Sequence, residues 1–328
     1  MRVSVLKPGL LSSLQDAGRR GHAAIGVGRA GAMDMPAWQL ANALVGNRAG
    51  EATIECTLLG PTLRFEHAVV IALTGAPIDA RVDGIALRMW TTCLLPAGSV
   101  LQLGGMASGS RSYLAVRGGF DVPAVLGSRS SDLHAQLGYM DGRALRAGDL
   151  LPIGPCAPLA QLADGDRARA LRWWLDPRPW FDAGQMPIAL LQGSHWLQLD
   201  QPSQRHLVEA RFTVSTDSNR TASRLDGHTL QLGEPLELIS EAALPGTVQL
   251  PPSGKPIVLM AEAPVTGGYP RVGQVAAVDL PRLAQRRPGD TVCFRPITLA
   301  QARLQLAARE QQLTRLLRRI AQRLEATP

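Results

Sequence analysis

Short apolar runs punctuated by Gly, Pro and Asp set the pattern of this chain. Residues 68–73 form a continuous apolar run closed by Thr74-Gly75-Ala76. Residues 85–95 follow an Asp83-Gly84 pair, a strong hairpin signal, and 99–103 and 112–116 are further strand candidates bounded by Gly. After a break, the pattern resumes at 188–191, 210–215, 235–239, 246–250 and 256–260. Two segments follow a helical period instead. Residues 35–45 are good helix formers, with Asp34 at the N-cap, Pro36 in the first turn and Gly46-Asn47 at the end. Residues 299–324 contain neither Gly nor Pro, and Leu299, Leu306, Leu313 and Ile320 recur every seven positions, with Leu317 and Leu324 as a second row. That spacing predicts an amphipathic C-terminal helix, packed on its own chain or paired with another.

Between the two strand-rich stretches, 152–170 is rich in Pro, Ala and Asp and lacks alternation. Trp173, Trp174 and Trp180 follow, and they read as a packed seam between domains. The pattern predicts a mainly β protein with a domain over 1–155, a linker over 156–184, a second domain over 185–296 and a helix over 297–328.

Composition narrows the function. The 328 residues suffice for two cores without disulfides or metals. Aromatics at 4% argue against a stacking platform for single-stranded nucleic acid. No run reaches the length of a membrane span, and the first twenty residues lack the apolar core of a secretory signal. The net charge is +7, and nine arginines lie in 286–328 against three acids, so the basic excess belongs to one segment. Cys56, Cys93, Cys156 and Cys293 are widely spaced, which fits reduced, buried thiols in a cytoplasmic protein and no metal site. Neither nucleic acid nor membrane is expected as a partner.

The common catalytic signatures are missing. No phosphate-binding GxxxxGK[ST] loop and no GxSxG elbow occurs, and no GxGxxG lies between an expected strand and a helix. The two lysines, Lys7 and Lys255, do not stand in a Met-Lys-Met biotin acceptor. Four polar constellations remain. Asp16 and Arg19 lie in Gln15-Asp16-Ala17-Gly18-Arg19. Gly31, Ala32, Met33 and Asp34 enter the first helix, where free N–H groups can hold an anion or Asp34 can simply cap. Asn219, Arg220 and Arg224 offer guanidinium forks for a planar oxyanion. Thr266, Gly267, Gly268 and Tyr269 combine close backbone approach with a hydroxyl. Asn42 and Glu55 add to these; a Glu inside the apolar run 53–59 is either paired in the interior or aimed into a site.

Together these segments are specific. Pro8-Gly9-Leu10-Leu11 through Gly18-Arg19, Gly31 to Asp34, Leu40-Ala41-Asn42, Glu55, Gly60-Pro61 and Leu73 to Ala76 run in order. Tyr113 to Val116, Gly118-Gly119, Leu126 to Arg129, Ser218-Asn219-Arg220, Ser240-Glu241, Thr266 to Pro270 and Pro288-Gly289-Asp290 continue them. The chain resembles the biotin-dependent carboxyltransferase / allophanate hydrolase subunit 2 family over about residues 8–290. The resemblance implies two cyclophilin-like β-barrels. It implies a component of an ATP-dependent 5-oxoprolinase, the C subunit, which works beside subunits A and B and touches the second of these directly. Such an enzyme opens 5-oxo-L-proline to L-glutamate. ATP is then a substrate, bound by or with one of the partners. That chemistry needs an acid to orient water, for which Glu55, Asp16 or Glu241 is the candidate, and substrate and anion contacts, for which the loop residues above are candidates. A biotin-dependent carboxyltransferase of the urea type and a non-catalytic regulator of the B component are the alternatives. The family's Ala-Asp-Arg-Gln-Thr-Thr-Gly-Gly-Tyr-Pro reads Ala-Glu-Ala-Pro-Val-Thr-Gly-Gly-Tyr-Pro here, so its Arg and Gln are lost.

Overall fold

The computed structural model describes residues 1–157, 167–182, 186–236 and 238–326. They fall into two compact units. The first comprises 1–19, 34–181 and 312–328, and the second 20–33 and 182–311. This differs from the expected linear division. Residues 20–33 belong with the second unit because Met33 joins its apolar core.

The first unit contains β1 (Arg2–Lys7), β2 (Leu11–Gln15), β3 (Thr53–Thr57), β4 (Thr62–Phe65), β5 (Val69–Gly75), β6 (Ile78–Val82), β7 (Ile85–Ala86), β8 (Thr92–Leu95), β9 (Val100–Met106), β10 (Arg111–Val116), β11 (Leu150–Pro152) and β12 (Arg169–Ala170). They make two six-stranded sheets, β11-β1-β4-β9-β6-β7 and β12-β8-β5-β10-β3-β2. The core between them includes Val3, Leu14, Ile54, Leu63, Phe65, Leu73, Leu101 and Leu114. The expected strand 85–95 is two strands, because buried Trp90 takes a left-handed φ of 59° and breaks the ladder. Helix α1 (Met35–Leu44) covers the second sheet and packs on β5, β10 and β3.

The stretch read as a linker also packs on the first unit. β12 pairs with β8, and Leu175 and Trp180 are buried. The tryptophan seam divides accordingly: Trp174 is exposed under the Arg88 guanidinium, and the carbonyl of Trp173 accepts from Thr91. Positions 158–166 and 183–185 of the expected linker lie outside the described residues.

In the second unit, β13 (Ile188–Gln192), β14 (Arg211–Val214), β15 (Ala222–Asp226), β17 (Thr247–Gln249), β18 (Ile257–Leu259), β20 (Arg271–Val275) and β21 (Thr291–Pro296) close a barrel in the order β13-β20-β17-β18-β15-β14-β21. A two-stranded ribbon, β16 (Glu241–Ala242) with β19 (Thr266–Gly267), stands apart. Position 237 of the expected strand 235–239 lies outside the described residues, and its neighbours are not in a strand. Helix α2 (Gln201–Glu209) was not expected. Asp200 caps it by accepting from the Ser203 N–H, and its polar sequence buries only Ser203 and Leu207. A short helix, α3 (Leu280–Ala284), precedes β21.

The C-terminal helix α4 (Leu299–Glu325) forms as its period predicts. Leu313 and Ile320 are buried within the chain itself, whereas Leu299 is half exposed, so only the later part of the heptad stripe finds an internal partner. Cys56 and Cys93 are buried, but Cys156 is exposed and Cys293 half-buried, correcting the expectation of four buried thiols. Among the described residues, no helix is long and apolar enough to cross a membrane.

Candidate functional site

Strand alternation explains Glu55. Ile54 and Cys56 face the core of the first unit, so Thr53 and Glu55 face the other side of the sheet, beneath α1. Register then aligns a polar row. Glu55 lies opposite Ser13 on one side and Tyr113 on the other, and Tyr113 lies opposite Thr74. All four are buried.

This row is tied to the helix start. The Tyr113 hydroxyl donates to Glu55 Oε2 at 2.8 Å and accepts from the Asp34 backbone N–H at 2.7 Å. The Thr74 hydroxyl donates to the Ala37 carbonyl at 2.7 Å. Arg111 Nε lies 3.7 Å from Glu55 Oε1, so a guanidinium and a phenol flank one buried carboxylate. Burial first, then the Glu55 and Asp34 charges, push the Tyr113 phenol well above its ordinary value of 10.0. Tyr113 therefore stays protonated and serves as a fixed donor to Glu55.

Of its two expected roles, Asp34 takes the cap. Its carboxylate accepts from the Ala37 N–H at 3.1 Å, occupying the helix N-terminus that an external anion would need. Its backbone N–H serves Tyr113.

Asp16 lies in a different, saturated network. Its two oxygens accept from Ser128 Oγ and Ser130 Oγ at 2.6 Å each, the Arg129 N–H at 2.6 Å and the Gly18 N–H at 2.8 Å. Four donors on one carboxylate leave little capacity for water. Arg19 is likewise directed at the Ser130 and Leu137 carbonyls. Asn42 fastens the turn after α1, donating to the Glu51 carbonyl at 2.8 Å and accepting from Asn47 at 2.8 Å.

In the second unit, Arg220 and Glu262 form a buried ion pair at 2.6 Å, and a second Arg220 nitrogen donates to the Gly31 carbonyl at 2.7 Å. Arg224, by contrast, is exposed on β15. The two guanidinium groups thus face different surroundings and do not form one cradle. Asn219 closes a local turn by accepting from the Thr221 and Ala222 N–H groups. Ala32 and Met33 are buried, Met33 within the apolar core.

Thr266 and Gly267 form one strand of the ribbon, and Glu241 lies in the other, directly opposite Gly267. Glu241 is half exposed and pairs with Arg271. Tyr269 is 45% exposed, and a Cβ at Gly268 would meet nothing closer than 3.6 Å. A Cβ at Gly267 would lie 2.5 Å from Gln249 Nε2, the end of a side chain that would have to move. His195 completes this surface. Its Nδ1 accepts from the Arg271 backbone N–H at 3.1 Å, and burial, reinforced by Arg271, lowers its pKa below the ordinary value.

Of the expected residues, the fold brings Asp34 and Glu55 together through Tyr113. It keeps Asp16 and Glu241 in separate settings. Tyr113, Arg111 and Glu262, the partners of Glu55 and Arg220, were not among the expected residues. The signal for Tyr113 was available, as a lone phenol in the strand 111–116, but its alignment with Glu55 depends on pairing register.

The family model described as "Carboxyltransferase domain, subdomain A and B" matches residues 25–296, and the chain belongs to that family. It is 40% identical over 312 residues to the C subunit of 5-oxoprolinase from Escherichia coli, covering 94% of this chain and 95% of that protein. It is 36% identical to the corresponding 5-oxoprolinase component of Haemophilus influenzae, covering 89% and 90%. The crystal structure of Kluyveromyces lactis urea carboxylase matches 95% of this chain with a TM-score of 0.85 and 27% identity, and this chain covers 29% of that one.

Proposed function

We propose that this chain is the C subunit of an ATP-dependent 5-oxoprolinase, acting with subunits A and B to convert 5-oxo-L-proline, ATP and water to L-glutamate, ADP and phosphate. The observation that carries the proposal is its end-to-end likeness to two proteins of that name. The chemistry is consistent. A lactam is a weak electrophile. Transfer of a phosphoryl group from ATP to its oxygen releases ADP and activates the ring carbon. Water adds there and the ring C–N bond breaks, the nitrogen taking up a proton, which leaves an acyl phosphate; a second water hydrolyses it, releasing phosphate and L-glutamate. Glu55 is the carboxylate we assign to proton removal from water, with Tyr113 and Arg111 setting its orientation and charge. The α1 N-terminus carries the Asp34 carboxylate and Arg220 is committed to Glu262, so we assign the ATP phosphates to a partner.

The test is ATP hydrolysis with and without 5-oxoproline by the mixed subunits, omitting each in turn. Stimulation by 5-oxoproline that disappears without this chain is the expected result; no stimulation by the intact complex rejects this substrate. The urea carboxylase likeness favours a second reading, transfer of a carboxyl group from carboxybiotin on another chain. Streptavidin detection of a biotinylated partner in the purified complex would put that reading first.

A further inference from the structure

We infer that the first unit carries a second small-molecule site, built for an organic anion with a flat apolar body, at the opposite end of α1 from Glu55. A cavity of about 420 Å³ lies between α1, the turn at 46–50 and the last turns of α4. That volume falls in the range of ligand pockets, roughly 300–1,000 Å³. Trp38, Ala43 and Ala49 from the α1 side face Leu317, Ala321 and Leu324 from α4. An indole opposite leucine side chains favours a flat apolar ligand.

The cavity is held in shape by hydrogen bonds rather than by loose side chains. Trp38 Nε1 and Asn42 Nδ2 both donate to the Glu51 carbonyl, at 3.0 and 2.8 Å. Asn47 donates to Asn42 and to the Val116 carbonyl, and accepts from the Gly118 N–H. At Gly46, where φ is 67°, a Cβ would lie 2.6 Å from Arg117 Nη1 and 3.6 Å from Leu324 Cδ1. Only glycine keeps that corner open.

Charge selects the ligand's sign. Arg117 is oriented by the Val45 and Ala157 carbonyls at 2.7 and 2.8 Å, and neither it nor exposed Arg48 has a carboxylate partner among the described residues. Glu325 is the single acid in the lining, against two arginines. A monoanion balances that set, and a guanidinium fork suits a carboxylate or sulfonate. Helix α1 is ten residues, about 15 Å long, and its first residues hold the Asp34–Tyr113 contact. A ligand here therefore rests on the helix that sets Tyr113.

The probe is 8-anilinonaphthalene-1-sulfonate, titrated by fluorescence into the full chain, with uncharged N-phenyl-1-naphthylamine as comparison. The expected result is one saturable site per chain that prefers the sulfonate. Ala321→Trp, at an exposed position of the lining, should weaken it by about tenfold or more. Arg48→Glu should weaken the sulfonate several-fold and leave the amine unchanged. Arg48 is exposed, so that variant remains informative if Ala321→Trp fails to fold. Sulfonate binding unaltered by Arg48→Glu, or equal affinity for the two probes, overturns the assignment. Neither outcome bears on the oxoprolinase reading, which the omission assay tests separately.

Discussion

Each unit buries one conspicuous glutamate, and the two are held in opposite ways. In the second unit, Glu262 meets a guanidinium directly at 2.6 Å, and that guanidinium also fastens Gly31. In the first, Glu55 meets a neutral phenol at 2.8 Å, while Arg111 stays at 3.7 Å. A direct buried ion pair fixes both charges and leaves neither partner available for proton transfer. The phenol that donates to Glu55 carries no charge, so that contact is not an ion pair. The difference teaches that burial alone does not say how a carboxylate is held; the identity of its partner does.

The largest effect should come from splitting the ion pair. Arg220→Met leaves Glu262 buried and unpaired, with an expected loss of about 3–5 kcal/mol in urea denaturation. The double variant Arg220→Met/Glu262→Met should recover most of it. A small loss in the single variant would break the contrast. Tyr113→Phe should cost less, about 2–3 kcal/mol, because it strands the Asp34 N–H and one Glu55 oxygen without removing a charge.

Glu55→Gln sharpens the comparison further. The amide still accepts from Tyr113, so stability should fall by only about 1 kcal/mol. Turnover of the assembled enzyme should fall by about 10²–10⁴-fold if Glu55 removes the proton. Equal turnover in steady-state assays would withdraw Glu55 from that role.

The smallest effect is on alkaline stability. Burial raises the thiols of Cys56 and Cys93 from 9.0 to about 12, and Tyr113 well above 10.0, all in the first unit. The folded state keeps these protons while the unfolded chain releases them. Their contribution is complete below the unfolded values and is lost as pH rises towards the folded ones. The melting temperature should therefore decline gradually above about pH 9, and Cys93→Ala should blunt that decline. A flat profile up to about pH 11 would contradict it.

Local periodicity made much of the architecture legible. The Asp34 cap, the α1 boundaries, most strands and α4 all follow from spacing, capping and turn residues, because these are short-range effects written in neighbouring positions. Family motifs were legible for a related reason, since they are contiguous runs. Glu55 stood out as an acid among apolar neighbours. Other features rest on contacts distant in sequence. Trp90 breaks a strand that its neighbours favour, and residues 20–33 join the second unit through Met33 and Gly31. Asp16 has the residue type of a reactive acid, yet Ser128 and Ser130, more than a hundred positions away, consume its oxygens. Tyr113 reaches Glu55 only through sheet register, and Arg220 parts from Arg224 through its pairing with Glu262. Elements are thus set by residues close along the chain, whereas the partner of a buried charge is set by which strands meet and in what register, and that partner determines what the charge can do.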